Sequence, residues 1–82
     1  MKKIETWEDL KKVFENNMLI SFEYVVDYEE CIIFDDAIGF DKEGYLIRYE
    51  NINEAGAKIW RYCGIGKKSY QQIYDIIKLM LK

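Results

Sequence analysis

The stretch Ile20-Ser-Phe-Glu-Tyr-Val-Val26 decides the fold class of this chain, because it begins with a regular alternation of apolar and polar side chains. Apolar Ile20 and Phe22 alternate with polar Ser21 and Glu23. A period of two is typical of a β-strand that has one face in a protein core and the other in water. We therefore predict that an antiparallel sheet begins here and forms the middle of the chain.

Two more strands are expected to complete this sheet. The apolar run Cys31–Phe34 indicates an interior strand, and residues 37–40 are expected to resume it after a bulge at a glycine. Tyr28-Glu29-Glu30 is the predicted turn before that strand. Asp41-Lys-Glu-Gly44 has glycine at a position where turns favour positive φ, so Tyr45–Tyr49 is predicted as the return strand.

Helices are expected on both sides of the sheet. Thr6 with Asp9, and Ser69 with Gln72, have the spacing of capping boxes, in which a hydroxyl side chain and a side chain three residues later each bind the other's backbone N–H. These pairs predict a first helix after residue 6 and a last helix after residue 69. A further helix is expected over residues 53–64, with an asparagine cap and a glycine at its end.

The predicted fold class is therefore α+β: an N-terminal helix, a three-stranded antiparallel sheet and two C-terminal helices (α-β-β-β-α-α). A single domain is expected over residues 1–82, because a chain of this length builds one modest core. The sequence begins without an apolar signal region and has no apolar run of the ~18 residues that a membrane helix needs. With Cys31 and Cys63 expected as free, buried thiols, this predicts a cytoplasmic protein with no membrane partner.

Charge is distributed unevenly along the chain. Residues 23–50 contain nine acids and only two bases, Lys42 and Arg48, whereas residues 51–82 contain six bases and two acids. An acidic sheet repels phosphate, so direct binding of nucleic acid is not expected. The same charge would attract a partner protein that has a basic surface.

Catalysis is not expected of this sequence. It has no histidine, which removes the commonest general base and the commonest metal ligand. Its acids lack the alternate spacing of a calcium-binding loop, so no metal site is predicted, and no cofactor is predicted either. Seven tyrosines exceed what so small a core absorbs, and exposed tyrosine is typical of protein interfaces. We expect a protein-binding module rather than an enzyme.

The first functional hypothesis follows from this overall character. The chain resembles the small acidic proteins of phages and mobile elements, of which anti-CRISPR inhibitors are the best-known class. That resemblance implies that it occludes a basic, nucleic-acid-binding surface of its partner. The carboxylates expected to contact the partner are those of Asp27, Glu29, Glu30, Asp35, Asp36, Asp41 and Glu43.

The alternative hypothesis rests on Tyr49-Glu-Asn-Ile-Asn-Glu-Ala-Gly-Ala-Lys-Ile-Trp60, which resembles the PqqD-like family, also called RiPP recognition elements. The resemblance implies a three-stranded sheet followed by three helices, and a leader peptide bound as an added strand beside the last helix. The residues that it implies for this groove are Tyr45, Ile47, Tyr49, Tyr70, Ile73, Tyr74 and Ile77. An open sheet edge would also allow two copies to pair as a homodimer.

Overall fold

A computed structural model describes residues 3–26 and 29–81, in which two helices flank five strands in the order of the chain. Helix α1 is Trp7–Phe14 and helix α2 is Tyr70–Met80. The strands are β1 Ile20–Val26, β2 Glu29–Phe34, β3 Ile38–Asp41, β4 Leu46–Ile52 and β5 Lys58–Tyr62. They form one antiparallel sheet in the order β1-β2-β3-β4-β5, which curls into a half-barrel and brings its edge strands β1 and β5 close together.

The predicted arrangement of three strands followed by two helices is wrong. Residues 53–64, predicted as a helix, instead contain the β4–β5 turn and strand β5. Asn53 Oδ1 accepts hydrogen bonds from the backbone N–H groups of Ala55 (2.9 Å) and Ala57 (3.0 Å), and Gly56 has a φ of +86°. A short polar side chain that can cap a helix can also close a turn in this way, because both uses satisfy backbone N–H groups a few residues later.

The second correction concerns the β2–β3 hairpin. Residues 37–40 do not resume β2 but reverse direction, after a turn in which Asp35 and Asp36 have φ values of 58° and 55°. Consecutive positive φ angles are what a tight hairpin turn needs, and aspartate tolerates this conformation better than most residues. The bulge predicted at the glycine is also absent, since Gly39 pairs regularly with Ile33.

Several local predictions are confirmed. Both capping boxes are present, at Thr6 and at Ser69, and they start α1 and α2. Ile20–Val26 is a strand, and β2 is an interior strand between β1 and β3. Of the predicted turn at residues 28–30, Tyr28 lies outside the described residues and the two glutamates belong to β2.

Both faces of β2 are buried, which places this strand at the centre of the packing. One face contributes Ile32 and Phe34 to the main core, which the two helices cover. The other face contributes Cys31 and Ile33 to a second cluster that forms inside the curl of the sheet. Within the described ranges, neither helix is long and apolar enough to cross a membrane.

Glu30 attaches α1 to the sheet. Its carboxylate accepts hydrogen bonds from Trp7 Nε1 at 2.8 Å and from Lys11 Nζ at 2.9 Å. Burial opposes ionisation of Glu30, but these two bonds and the positive charges of Lys11 and Lys42 together outweigh it and lower the pKa of the carboxyl group. The hydrogen bond from Lys11 to Glu30 likewise raises the pKa of the lysine.

We expect Glu30→Ala to lower the free energy of unfolding by about 2 kcal/mol, because it leaves the buried indole N–H of Trp7 without its acceptor. Glu30→Gln should retain that hydrogen bond and lower the free energy of unfolding by a smaller amount. A lowered folded pKa stabilises the protein above the ordinary value of 4.5 and stops doing so as the pH falls through the folded value. Urea unfolding at neutral pH and at about pH 3 should therefore show a smaller acid-induced loss in Glu30→Gln than in the wild type. An equal loss in both proteins would contradict this role.

Candidate protein-binding cleft

An open cleft lies where the β3–β4 turn meets the segment that leaves β5. Residues 63–68 run along the turn and are held by hydrogen bonds from Cys63 N to Leu46 O (3.0 Å) and from Lys68 N to Gly44 O (2.9 Å). The cleft has a volume of about 610 Å³. The residues that line it are Glu29, Asp41, Glu43, Tyr45, Leu46, Tyr62, Gly64, Ile65 and Gly66.

Asp41 builds the wall of this cleft. Its side chain is 2% exposed, and its Oδ1 accepts hydrogen bonds from the backbone N–H groups of Glu43, Gly44 and Tyr45 at 3.0, 2.9 and 2.8 Å. Its Oδ2 accepts a hydrogen bond from the Tyr62 hydroxyl at 3.0 Å. A buried carboxylate needs such partners, so one residue fixes both the turn and the end of β5.

Gly44 allows residues 63–68 to close over the turn. Its φ is +104°, and a Cβ atom at this position would lie 2.1 Å from the backbone oxygen of Lys68. Both the conformation and the close approach require a residue without a side chain. Gly44, from which the sequence predicted a turn, therefore has a second role in forming the cleft.

Three carboxylates give the cleft a concentrated negative charge. Oxygen atoms of Glu29, Asp41 and Glu43 lie within 4.8 Å of one another, and no basic residue is among the described residues that line the cleft. Their field reaches Tyr70, whose pKa is raised by burial and then by Glu43, Asp41 and Glu29.

This carboxylate set is also the group in the described part of the chain that could hold a divalent cation. Against a metal role stand the four hydrogen bonds of Asp41, which occupy most of its acceptor positions. The geometry is explained by the turn that Asp41 organises. We assign no metal to it.

Aromatic and apolar side chains form the rest of the cleft. The rings of Tyr45 and Tyr62 meet edge to face with centroids 6.4 Å apart. Tyr45 is 42% exposed, Tyr62 45% and Ile65 47%. Exposed aromatic rings beside carboxylates provide both contact area and charge, which is the combination found at protein interfaces.

The acidic residues predicted as a partner-binding set do not form one surface. Glu29, Asp41 and Glu43 meet at the cleft, whereas Asp35 and Asp36 lie at the other end of the β2–β3 hairpin. A six-residue strand separates the two groups by roughly 20 Å. Glu30 faces the helices and is bound to α1. The remaining residue, Asp27, lies outside the described residues.

The residues implied by the peptide-binding resemblance lie on different faces of the sheet. From the strand side, Tyr45 lines the cleft, Ile47 is buried in the second cluster, and Tyr49 packs edge to face on Trp60. Strand β4, which contains Ile47 and Tyr49, pairs with β3 on one side and β5 on the other, so its edge is not free.

From the helix side, Ile73 and Ile77 are fully buried in the main core, under the opposite face of the sheet. Tyr74 packs on Phe14 with ring centroids 5.7 Å apart, and the hydroxyl of Tyr70 donates to the backbone oxygen of Lys42 at 2.6 Å. These residues do not form a groove with β4.

The two cysteines differ in environment. Cys31 is fully buried, and burial raises the pKa of its thiol to about 11. Such a thiol stays protonated at neutral pH and is a poor nucleophile. Cys63 is half-buried, and both thiols are free.

Sequence reasoning did not single out the C-terminal wall of the cleft. Tyr62 and Gly64 belonged to the predicted helix and its end, and Ile65 belonged to the loop after it, so they were not placed near Glu43. The β-branched and aromatic residues Ile59, Trp60 and Tyr62 were the available signal for a strand there.

Comparison of this chain with protein-family models, with curated proteins and with solved structures gives no match.

We expect Asp41→Ala to lower the free energy of unfolding by about 3 kcal/mol, because three backbone N–H groups and one hydroxyl lose a charged acceptor. Tyr62→Phe removes only one of these bonds and should lower it by about 1 kcal/mol. Glu43→Gln is the control, because Glu43 contacts Asp41 through its backbone and its side chain is exposed. Denaturant unfolding of the three variants tests this order, and an Asp41→Ala variant as stable as Glu43→Gln would refute it.

Proposed function

We propose that this chain is a non-catalytic, protein-binding inhibitor that occludes a basic, nucleic-acid-binding surface of a partner protein. One observation carries the proposal: the exposed carboxylates of Asp35, Asp36 and Glu43 form no ion pair with any residue in 3–26 or 29–81. Charges that the described residues leave without a countercharge are available to a partner. Complementary charge would speed association and make it sensitive to salt.

The conformation of the β2–β3 turn supports this proposal. Glycine or asparagine is the usual residue where φ is positive, yet the chain has two aspartates there in succession. Both side chains are exposed, so neither contributes to the core. A partner that needs carboxylates at this turn would explain the choice of residue.

The tyrosines beside Glu43 support it from the other end of the hairpin. Tyr45 and Tyr62 present large, partly exposed rings next to the carboxylates of the cleft. Aromatic rings of this kind supply most of the affinity of typical protein interfaces, while charged rims supply specificity and rate. The proposal includes a cytoplasmic location, and the two free thiols agree with a reducing compartment.

The peptide-reading alternative is not carried further, because β4 has a hydrogen-bonded neighbour on each side. An added strand requires an unpaired edge.

Replacing the turn aspartates should separate stability from binding. We expect the double substitution Asp35→Asn and Asp36→Gly to raise the free energy of unfolding by about 1 kcal/mol, because this pair suits consecutive positive φ angles better. Denaturant unfolding measures the gain. A double variant less stable than the wild type would contradict the assignment of this turn.

Binding is tested with the tagged chain as bait in lysate of its native host, washed with increasing salt. The test variant combines Asp35→Asn, Asp36→Gly and Glu43→Gln. The control combines Glu15→Gln, Glu54→Gln and Asp75→Asn, which remove the same charge from other exposed positions.

We expect the wild type and the control to retain a basic protein and to compete with its nucleic acid in a gel-shift assay, whereas the test variant loses both properties. Equal retention by the test variant, or a partner that still binds nucleic acid in the complex, would refute the proposal.

A further inference from the structure

We infer that two copies of this chain associate about a two-fold axis, with Met18 of each copy inserted into a hollow on the other. The hollow lies between the start of β1, the end of β2 and the end of α2. This inference goes beyond the proposed function, because it concerns contact between identical chains. Its basis is an exposed surface, the apolar end, which consists of Met18, Leu19, Leu79, Met80 and Leu81.

The apolar end is a continuous surface. Met18 is 99% exposed, Leu79 67%, Leu19 65% and Met80 49%. Leu19, Met80 and Leu81 line the hollow, while Leu79 and Leu81 line a second hollow that adjoins it. Apolar residues that are exposed singly are common, but a contiguous group of this kind marks an interaction site.

Shape indicates a second copy as the occupant. The first hollow is lined by Leu19, Phe34, Asp35, Met80 and Leu81. Its volume of about 140 Å³ has room for one apolar side chain. Met18 precedes Leu19 in the chain, and a flexible methionine fills irregular apolar gaps well. A two-fold dimer requires both halves of a contact to lie on the same surface, and here the exposed side chain and the hollow are adjacent.

Charge at the apolar end is complementary to that of a second copy. Asp35 lines the first hollow and Lys78 lines the second, and Leu81 lies between them because it lines both. Asp35 and Lys78 are exposed, and neither forms an ion pair with any residue in 3–26 or 29–81. A two-fold axis would bring Asp35 of each copy to Lys78 of the other, as two equivalent ion pairs at the rim of the apolar contact.

A lipid surface or a basic foreign protein fits this surface less well. Among the described residues that line the two hollows, Asp35 and Asp75 are acidic and Lys78 is basic. Acidic residues are repelled by anionic lipid head groups. A basic protein would pair with Asp35 but would place like charge against Lys78. A second copy satisfies both signs.

The expected dimer is weak. Four exposed side chains and a charged rim correspond to the small end of specific interfaces, which bury about 600 Å² per partner. We therefore expect a Kd of roughly 100 µM. Asp35 takes part in this contact and in the proposed binding of a partner, so the two associations are expected to compete.

The test is sedimentation equilibrium of the purified chain from about 10 to about 500 µM. We expect the mass to rise from that of one chain towards that of two and then to level off. Met18→Glu should weaken association about tenfold or more, because it places a charge against the apolar hollow. The control is Ile52→Glu, at a residue of β4 that is 57% exposed and lines neither hollow, and it should have no effect.

An exchange of charges tests the two-fold arrangement. Asp35→Lys and Lys78→Asp should each weaken self-association about fivefold, because each variant alone would bring two pairs of like charges together. An equal mixture of the two variants should associate as tightly as the wild type, because every lysine then meets an aspartate. Circular dichroism checks that each variant is folded. If Asp35→Lys does not fold, Lys78→Asp and Met18→Glu still decide.

Four outcomes would overturn the inference: a monomer at every concentration, association that continues beyond two copies, equal effects of Met18→Glu and Ile52→Glu, or no recovery when two folded charge variants are mixed. A monomeric chain that sediments with phosphatidylcholine vesicles, and loses this property in Met18→Glu, would show that the apolar end binds lipid instead. A monomeric chain whose captured partner is lost in Met18→Glu would assign the apolar end to a foreign protein.

Discussion

The buried carboxylate of Asp41 constrains the position of everything around the cleft. A charge removed from water must find hydrogen-bond donors nearby, and in this chain the donors are three N–H groups of the following turn and the hydroxyl of Tyr62. The first three fold the chain back into β4, and the fourth positions the end of β5. Residues 63–68 can then lie against the turn only because Gly44 has no side chain. The cleft therefore forms as a consequence of the hydrogen bonds that the buried carboxylate of Asp41 requires.

Local signals predicted the parts of the fold that depend on neighbouring residues. The capping boxes at Thr6 and Ser69 and the alternation in Ile20–Val26 correspond to the start of each helix and to the first strand. Strand β5 could not be recognised in the same way, because Asn53 has the same chemistry at a helix cap and in a turn. The run Lys58–Tyr62 is short and half-exposed on both faces, so its pattern fits a helix face as well as a strand.

The candidate site was predictable in composition but not in geometry. Sequence alone identified an acidic middle region and a surplus of tyrosines. It could not predict where these side chains lie relative to one another, because strand register decides which acids are close in space. Cys31 lies opposite Asp41 across β2 and β3, which brings Glu29 towards the turn, while the adjacent Glu30 points to the other face and binds Trp7. Neighbouring acids in the sequence thus have unrelated roles.

Two features of the described structure are unfavourable for the stability of the free chain. Both involve acidic residues of this chain that we propose contact the partner. Aspartates at positive φ are less favourable than glycine, and carboxylates within 4.8 Å of one another repel. Neither feature is needed for the core, which is apolar and lies on the two faces of β2. A basic partner would place positive charge beside these carboxylates on binding, so their negative charge would contribute to its affinity. By the same linkage, dissolved ions that screen these carboxylates in the free chain should weaken binding of a basic partner.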